Sequence, residues 1–385
     1  MRLAEVAARA AVPPFHAMRV FEAAQARAAA GLPVFNLAAG QPGTPAPAAV
    51  RARAAETVRR ELIGYTSALG IPPLREAIAG HYRRTYDVDV AADDVIVTTG
   101  SSGGFLLSFL AAFDVGNVVV LARPGYPSYR NMLTALGCEV VELRCGPQTR
   151  FQPTVEMLQA LTPPPAGVVL ASPANPTGTM VEPSELAAIA GWCEANGVRL
   201  ISDEIYHGIV YAGTAQTLWA SSRSSVVVNS FSKYWRMTGW RLGWLLVPSE
   251  LHDPVDRLTT NFTLCPPTLS QHAAVAAFDD YADLDASVAD YRTNRSLLLD
   301  GLAALGLTDV APADGAFYVY ADVSHVTDDS LSFCYRLLAE TGVAAAPGVD
   351  FDPVDGHRYL RFTFAPPRAT LADALDALAG WLPKP

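Results

Sequence analysis

The sequence predicts an α/β protein in which a doubly wound, mostly parallel sheet forms a large domain beside a smaller α+β domain. Three observations predict it. Between residues 94 and 248, short β-branched runs alternate with longer helical segments, the mark of parallel strands joined by right-handed helical crossovers. The runs are continuously apolar, as in Val118-Val119-Val120-Leu121, which suits strands covered on both faces. The chain has 385 residues, more than a single domain usually holds.

The elements follow in order. Residues 17–30 read as an Ala-rich helix that Gly31-Leu32-Pro33 ends. A short strand, Val34 to Leu37, leads into Gly40-Gln41-Pro42-Gly43, and helices are expected at 47–60 and 73–84. Strand Val95 to Thr98 runs through a Gly/Ser turn into a helix at 102–112. Strand 118–121 feeds a helix at 127–136, and Val168 to Leu170 precedes a helix at 183–196. Leu200 to Ser202 and Val226 to Val228 complete the parallel set. After about residue 248 the alternation stops. A long helical region at 266–305 is expected there, then a strand near 316–321, a helix at 330–341, a strand at 359–364 and a helix at 370–382. The large domain is accordingly placed at 45–280. The small domain joins 281–385 to the N-terminal segment 1–44, since chain ends often meet.

Half of the residues are apolar and 17% are charged, an ordinary globular composition. The net charge of -10, from 28 basic and 38 acidic residues, argues against a nucleic-acid partner. A few placed arginines can still capture a carboxylate. The five cysteines are scattered and form no C-x-x-C pair, so a cytoplasmic, reducing setting is expected rather than a disulfide framework. No apolar signal core opens the chain and no stretch is long and apolar enough to span a bilayer, so no membrane association is expected. The seven histidines lack metal-ligand spacing and no serine-hydrolase elbow is present; no metal is expected. His207 is read as a capping or packing residue.

One cluster carries chemistry. Ser230-Phe231-Ser232-Lys233 follows the strand at 226–229, and Met237-Thr238-Gly239-Trp240-Arg241-Leu242-Gly243 comes just after it. A lysine past the C-terminal end of a strand sits where α/β sheets bind ligands. Burial lowers its pKa and makes it a nucleophile toward aldehydes. Arg241 has a planar fork that suits a phosphate, and Ser230 and Ser232 add hydroxyl donors. A lone lysine would read as an exposed loop residue; the cluster argues against that.

These residues resemble the lysine signature of the class I/II aminotransferases, fold-type I enzymes that use pyridoxal 5'-phosphate (PLP). The landmarks keep the family's order along nearly the whole chain. The resemblance implies that Lys233 holds the cofactor as a Schiff base and moves the proton during catalysis. In Ser202-Asp203-Glu204-Ile205-Tyr206, it implies that Asp203 bonds the pyridine nitrogen and keeps it protonated, so that the ring accepts carbanion electrons. The competing use of Asp203 is a helix N-cap. Tyr206 and Asn175, the latter in a Ser172 to Gly178 turn, would bond the ring's phenolic oxygen. Ser101 and Ser102, in a Gly/Ser turn opening a helix, would cradle the phosphate on backbone N–H groups. Tyr126 would stack on the ring. Tyr65 would reach the cofactor phosphate of a partner subunit, making the enzyme a homodimer with shared active sites.

Arg361 lies inside the strand-like Tyr359-Leu360-Arg361-Phe362-Thr363. A buried arginine is costly unless paired. The resemblance supplies a substrate α-carboxylate as the pair; a structural salt bridge is the alternative. Gly40 matches a small residue lining the substrate pocket. Some aspartate-preferring relatives carry Lys where this chain has Ser102. With Phe15, Tyr65, Tyr126 and Phe317 expected near the pocket, an apolar or aromatic donor follows, with a 2-oxo acid as acceptor. The alternative activity is a PLP-dependent lyase or oxidase on an amino acid. A third reading is a PLP-binding regulator; those usually carry an N-terminal DNA-binding module, and with the acidic balance none is expected.

Overall fold

Seven strands build the main sheet of the structure, a computed structural model that describes residues 5–383. The expected domain ends at 1–4 and 384–385 lie outside the described residues. The N-terminal part holds α1 (His16–Ala29), β1 (Phe35–Asn36), α2 (Ala48–Arg60) and α3 (Pro72–Tyr86). The alternating part runs β2 (Val95–Thr98), α4 (Gly100–Ala112), β3 (Val118–Arg123), α5 (Pro127–Leu136), β4 (Glu139–Arg144), α6 (Val155–Gln159), β5 (Gly167–Ala171), α7 (Pro183–Asn196), β6 (Arg199–Asp203), β7 (Val226–Ser230) and β8 (Gly243–Leu246). The C-terminal part holds α8 (His252–Phe262), α9 (Thr268–Val275), α10 (Tyr281–Ala304), β9 (Tyr318–Asp322), α11 (Ser330–Thr341), β10 (Val343–Ala344), β11 (Ala346–Pro347), β12 (Tyr359–Thr363) and α12 (Arg368–Ala379).

The main sheet has the order β2-β8-β7-β6-β5-β3-β4. Strands β4, β3, β5, β6 and β7 pair in parallel, and β8 runs antiparallel to both its neighbours. Alternate residues of β7 face two separate cores: Val227 packs with Trp244 and Leu246, whereas Val226 and Val228 pack with Leu245 and Phe105. Helices on both faces are why these strands read as unbroken apolar runs.

Two strands of this sheet escaped the sequence reading. β4 is an edge strand whose Glu139, Glu142 and Arg144 interrupt its apolar residues, and β8 is four residues placed directly behind the lysine motif. The expected long helix at 266–305 is broken into α9, a 3-10 turn at Ala276–Asp279, and α10. The break has a local cause, since the Asp280 side chain accepts the Asp283 N–H and starts a new helix there.

The C-terminal part contains a three-stranded antiparallel sheet of order β11-β12-β9. β1 pairs in parallel with β10, Phe35 opposite Val343. Among the described residues, no helix is long and apolar enough to cross a membrane. The five cysteines are free thiols, four of them buried. Burial pushes Cys145 up to about 11 and Cys193 up to about 12, which leaves both as inert packing groups.

Candidate active site

The parallel strands end around one cavity of about 290 Å³. Tyr126 follows β3, Asn175 follows β5, Asp203 closes β6 and Lys233 follows β7, and all four line it. This is the carboxyl edge of the sheet, where open α/β folds place ligands. Gly40, Ser101, Ser102, Tyr206, Ser232, Arg241 and Arg361 line the same cavity. Two expected residues do not. The Ser230 hydroxyl donates to the Leu242 carbonyl (3.1 Å) and accepts the Ser232 N–H (3.1 Å), so it shapes the turn that carries Lys233. Tyr65 is 83% exposed in the single chain and stands outside the cavity lining.

Charge is unevenly distributed in this cavity. Lys233, Arg241 and Arg361 are the cations of its lining, and Asp203 is the one carboxylate. Burial, with Arg361 and Arg241 facing it, lowers the Lys233 ammonium to about 8. Its Nζ donates to the Gly40 carbonyl at 2.6 Å. Burial raises Asp203 to about 6, against hydrogen bonds from the Tyr129 hydroxyl and the Ile205 N–H (3.0 Å). The Asp203 carboxylate is therefore oriented by two donors and still buried, the environment that suits partnership with a ring N–H.

Arg361 is 3% exposed and forms no salt bridge among the described residues. Its Nη1 donates to Asn175 Oδ1 (2.9 Å) and its Nη2 to the Ala38 carbonyl (2.6 Å). Nε is buried without a partner. The guanidinium lies 4.4 Å from the Tyr318 ring centre and 4.9 Å from that of Phe351. A guanidinium has five N–H donors, so this one is held in place with donors to spare.

The phosphate end can be tested on backbone geometry. Gly100 opens α4 at φ +72°, and a Cβ there would come within 2.6 Å of Arg241 Nη2. Thr99 offers no side-chain cap to α4, which leaves its first N–H groups available. A glycine that clears space beside a guanidinium, an uncapped helix start and the hydroxyls of Ser101 and Ser102 form a dianion cradle. Lys233, Asp203 and this cradle fit PLP.

Several lining residues were not anticipated. Tyr129 lies one helical turn from Tyr126 in α5, and i, i+3 spacing was the available signal. Tyr318 shares a sheet face with Arg361, because Arg361 pairs with Tyr320 two residues along β9. Its hydroxyl meets that of Tyr206 at 2.7 Å. The expected Phe317 is one residue off this face; it packs edge-on against Tyr206 and Tyr291 instead. Phe15 lines the cavity as expected, joined by Ala17, Met18 and Phe21 of α1. His207 packs as expected. Its Nε2 bonds the Ser172 carbonyl (2.9 Å), its Nδ1 meets the Tyr86 hydroxyl (2.8 Å), and burial lowers it to about 4.

Comparison with known proteins agrees with this geometry. The family model for aminotransferase class I and II matches residues 33–378. The chain is 59% identical over 382 residues to a valine--pyruvate aminotransferase of Mycobacterium tuberculosis, covering 98% of each chain. It is 34% identical over 355 residues to an aspartate/prephenate aminotransferase of Thermus thermophilus, covering 91% of each. Among solved structures, an aminotransferase from Mycobacterium tuberculosis superposes with a TM-score of 0.97 at 58% identity, over 99% of this chain and 100% of the other. The aspartate aminotransferase of Thermus thermophilus with maleate gives 0.92 at 32% identity, over 98% and 100%. The chain belongs to the class I and II aminotransferases, PLP-dependent enzymes of fold type I.

Proposed function

We propose that this aminotransferase moves the amino group of an L-amino acid with an apolar, branched side chain to pyruvate, with Lys233 as the catalytic base. One observation carries the substrate class. Beyond Lys233, Arg241 and Arg361 the cavity lining has no further cation, and Phe15, Ala17, Met18 and Phe21 provide an apolar wall. With one arginine for a phosphate and one for an α-carboxylate, a second substrate carboxylate would be desolvated without a partner, which is costly. The relative named for valine and pyruvate is 59% identical and the one named for aspartate 34%, which favours the same reading.

Arg241, Ser101, Ser102, Ser232 and the first N–H groups of α4 would hold the phosphate, and Asp203 the ring nitrogen. Asn175 and Tyr206 would serve the ring hydroxyl and Tyr126 the ring face. When bound, PLP supplies an aldehyde that condenses with amines and a ring that accepts electrons from Cα. Arg361 binds the substrate carboxylate through its free donors. With PLP bound, Lys233 Nζ would be the base that takes the proton from the substrate Cα and the acid that gives it back. Tyr206 and Tyr318 hold each other in place, and a Cβ on Gly40 would run into the Tyr318 hydroxyl, so Gly40 keeps the pocket open.

The donor assay tests this reading. Valine with pyruvate should form alanine, and aspartate or glutamate should fall at least ~100-fold below valine in kcat/KM, the cost of an unpaired buried carboxylate. Aspartate as the best donor sinks the reading, and so does ammonia release without any keto acid.

Cofactor uptake should depend on pH in a defined sense. Only the neutral Lys233 amine attacks an aldehyde, so uptake by the apo protein should rise about tenfold per pH unit below the midpoint. It should level off above about 8. Asp203 raises the Lys233 pKa, so D203N should move that midpoint down. Stopped-flow absorbance measures both; an unmoved midpoint in D203N overturns the coupling.

The homodimer has its own support. Leu62 (96% exposed), Ile63, Tyr65, Phe262 and Leu264 are exposed apolar groups. Their segments are tied together by Thr268 Oγ1 donating to the Gly64 carbonyl (2.6 Å). Exposed apolar side chains grouped on linked segments favour an interface there, and a two-fold pairing would carry each Tyr65 toward the partner's phosphate cradle. Mixed and reassociated, K233A and Y65A should recover about one quarter of wild-type activity, since half of the dimers are hybrids with one intact site. No recovery would exclude shared sites. The domain division at 45–280 and 1–44 with 281–385 is proposed on the β1–β10 pairing. A cytoplasmic setting is proposed on the free thiols.

A further inference from the structure

We infer that Asp350 is a positioning residue for donor selection, its buried carboxylate clamping the first turn of α1 and so fixing the apolar wall of the active-site cavity. The inference rests on the apolar-donor reading above.

Helix α1 begins without a cap of its own, because Phe15 at the N-cap has no side-chain acceptor. An uncapped start leaves N–H groups orphaned. Asp350 comes from the far end of the chain to meet them. Its Oδ1 accepts the His16 N–H (2.9 Å) and its Oδ2 the Ala17 N–H (2.6 Å). It is 3% exposed and forms no ion pair among the described residues. Those two N–H groups, the positive end of the helix and the nearby Arg361 charge are what balance its charge.

Other polar ties at this end of α1 are few, and its packing is a small cluster in which Ala17 lies with Tyr320, Ala346 and Phe351. Residues 5–14 are exposed, and their one side-chain tether is Asn131 Nδ2 on the Pro13 carbonyl at 3.4 Å. The other end of the helix is bound separately, by Arg27 on the Pro33 and Ala339 carbonyls. Yet it is the first turn that carries Ala17 and Met18, with Phe15 just ahead and Phe21 just behind, into the cavity. Phe15 stands edge-on to Tyr126 at 6.1 Å between ring centres. Asp350 is followed by Phe351, whose ring lies against the Arg361 guanidinium. One short turn thus supports both ends of the donor site, the carboxylate anchor and the side-chain wall.

The test uses the holoenzyme and the half-reaction, followed by loss of the cofactor's visible absorbance with valine or alanine as donor. D350N is nearly isosteric but turns one acceptor into an N–H₂ that faces a helix N–H. The valine-to-alanine ratio of kcat/KM should fall about tenfold, the loss of one charge-assisted hydrogen bond. Alanine, too small to need the wall, should change less than about threefold. H16P supplies a second variant. Proline is accepted at a first helical position, Phe15 before it is already extended (φ -93°, ψ 97°), and the clashing N–H is removed. The double variant H16P/D350N should regain most of the lost selectivity.

A parallel fall for valine and alanine, or no rescue by H16P, would show a merely structural role and overturn the inference. Hydrogen exchange separates this from failure of the donor reading. If wild type does not prefer valine, that reading fails. The clamp then stands if the His16 and Ala17 amides exchange faster in D350N, and falls if they do not.

Discussion

Lys233→Ala should lower transamination roughly 10⁴-fold, the upper range for loss of a positioned acid–base group, while leaving the chain folded. The argument is local. Burial, with Arg361 and Arg241 adding to it, lowers the Lys233 ammonium to about 8, so a useful fraction of amine is neutral at physiological pH. Removing a buried ammonium relieves its desolvation, and the hydrogen bond lost is the one to the Gly40 carbonyl. The melting temperature should therefore not drop. Lys233→Arg separates charge from chemistry: it keeps the cation but never offers a neutral amine, and should be as inactive as the alanine variant. Borohydride treatment of the wild type should fix the cofactor covalently on the peptide containing Lys233, read by mass spectrometry. An adduct on another peptide, or substantial turnover in Lys233→Arg, refutes the assignment.

Arg361→Met should lower kcat/KM for every amino-acid donor by roughly 10²–10³-fold, the loss of a buried charge-assisted carboxylate contact worth about 3–4 kcal/mol. Cofactor affinity should be little changed, since the phosphate cradle rests on Arg241 and α4. Stability should move the other way from activity. A buried guanidinium without a carboxylate costs several kcal/mol of desolvation, and its removal leaves only Asn175 Oδ1 and the Ala38 carbonyl short of a donor, about 1–3 kcal/mol each. The two terms nearly cancel, so a melting temperature at or near wild type is expected. Arg361→Lys should rescue little, because a point charge cannot form the fork. A large loss of stability, with donor affinity intact, would make Arg361 a structural residue instead.

Much of the site was legible because its chemistry is written in short, contiguous motifs. Ser230 to Gly243 places a lysine, two hydroxyls and an arginine around one strand end, and Ser202 to Tyr206 places an acid and a phenol around the next. Parallel strands were legible for a related reason, since burial on both faces leaves an uninterrupted apolar run. Helix ends at Pro127–Leu136, Pro183–Asn196 and Ser330–Thr341 were marked by proline or serine starts and glycine stops. The misses share a cause. β4 needed knowledge of which edge faces water, and the break before α10 depended on one side chain reaching three residues forward. Tyr318 carries no local pattern that separates it from a core tyrosine, and Tyr129 has only its i, i+3 spacing from Tyr126.

The sequence by itself determined the fold class, from the period of its strands, and the cofactor, from contiguous motifs that resemble the class I/II aminotransferases; Lys233 as its anchor is read from the same motifs. Only the tertiary structure decided that Arg361 is buried without a counter-ion, that Tyr318 rather than Phe317 faces the cavity, and that Asp350 caps a helix 333 residues away. Each is a statement about register or about charge balance in a desolvated space. Such balance is settled by which distant groups the packed chain brings within hydrogen-bond reach, and local sequence carries no record of them.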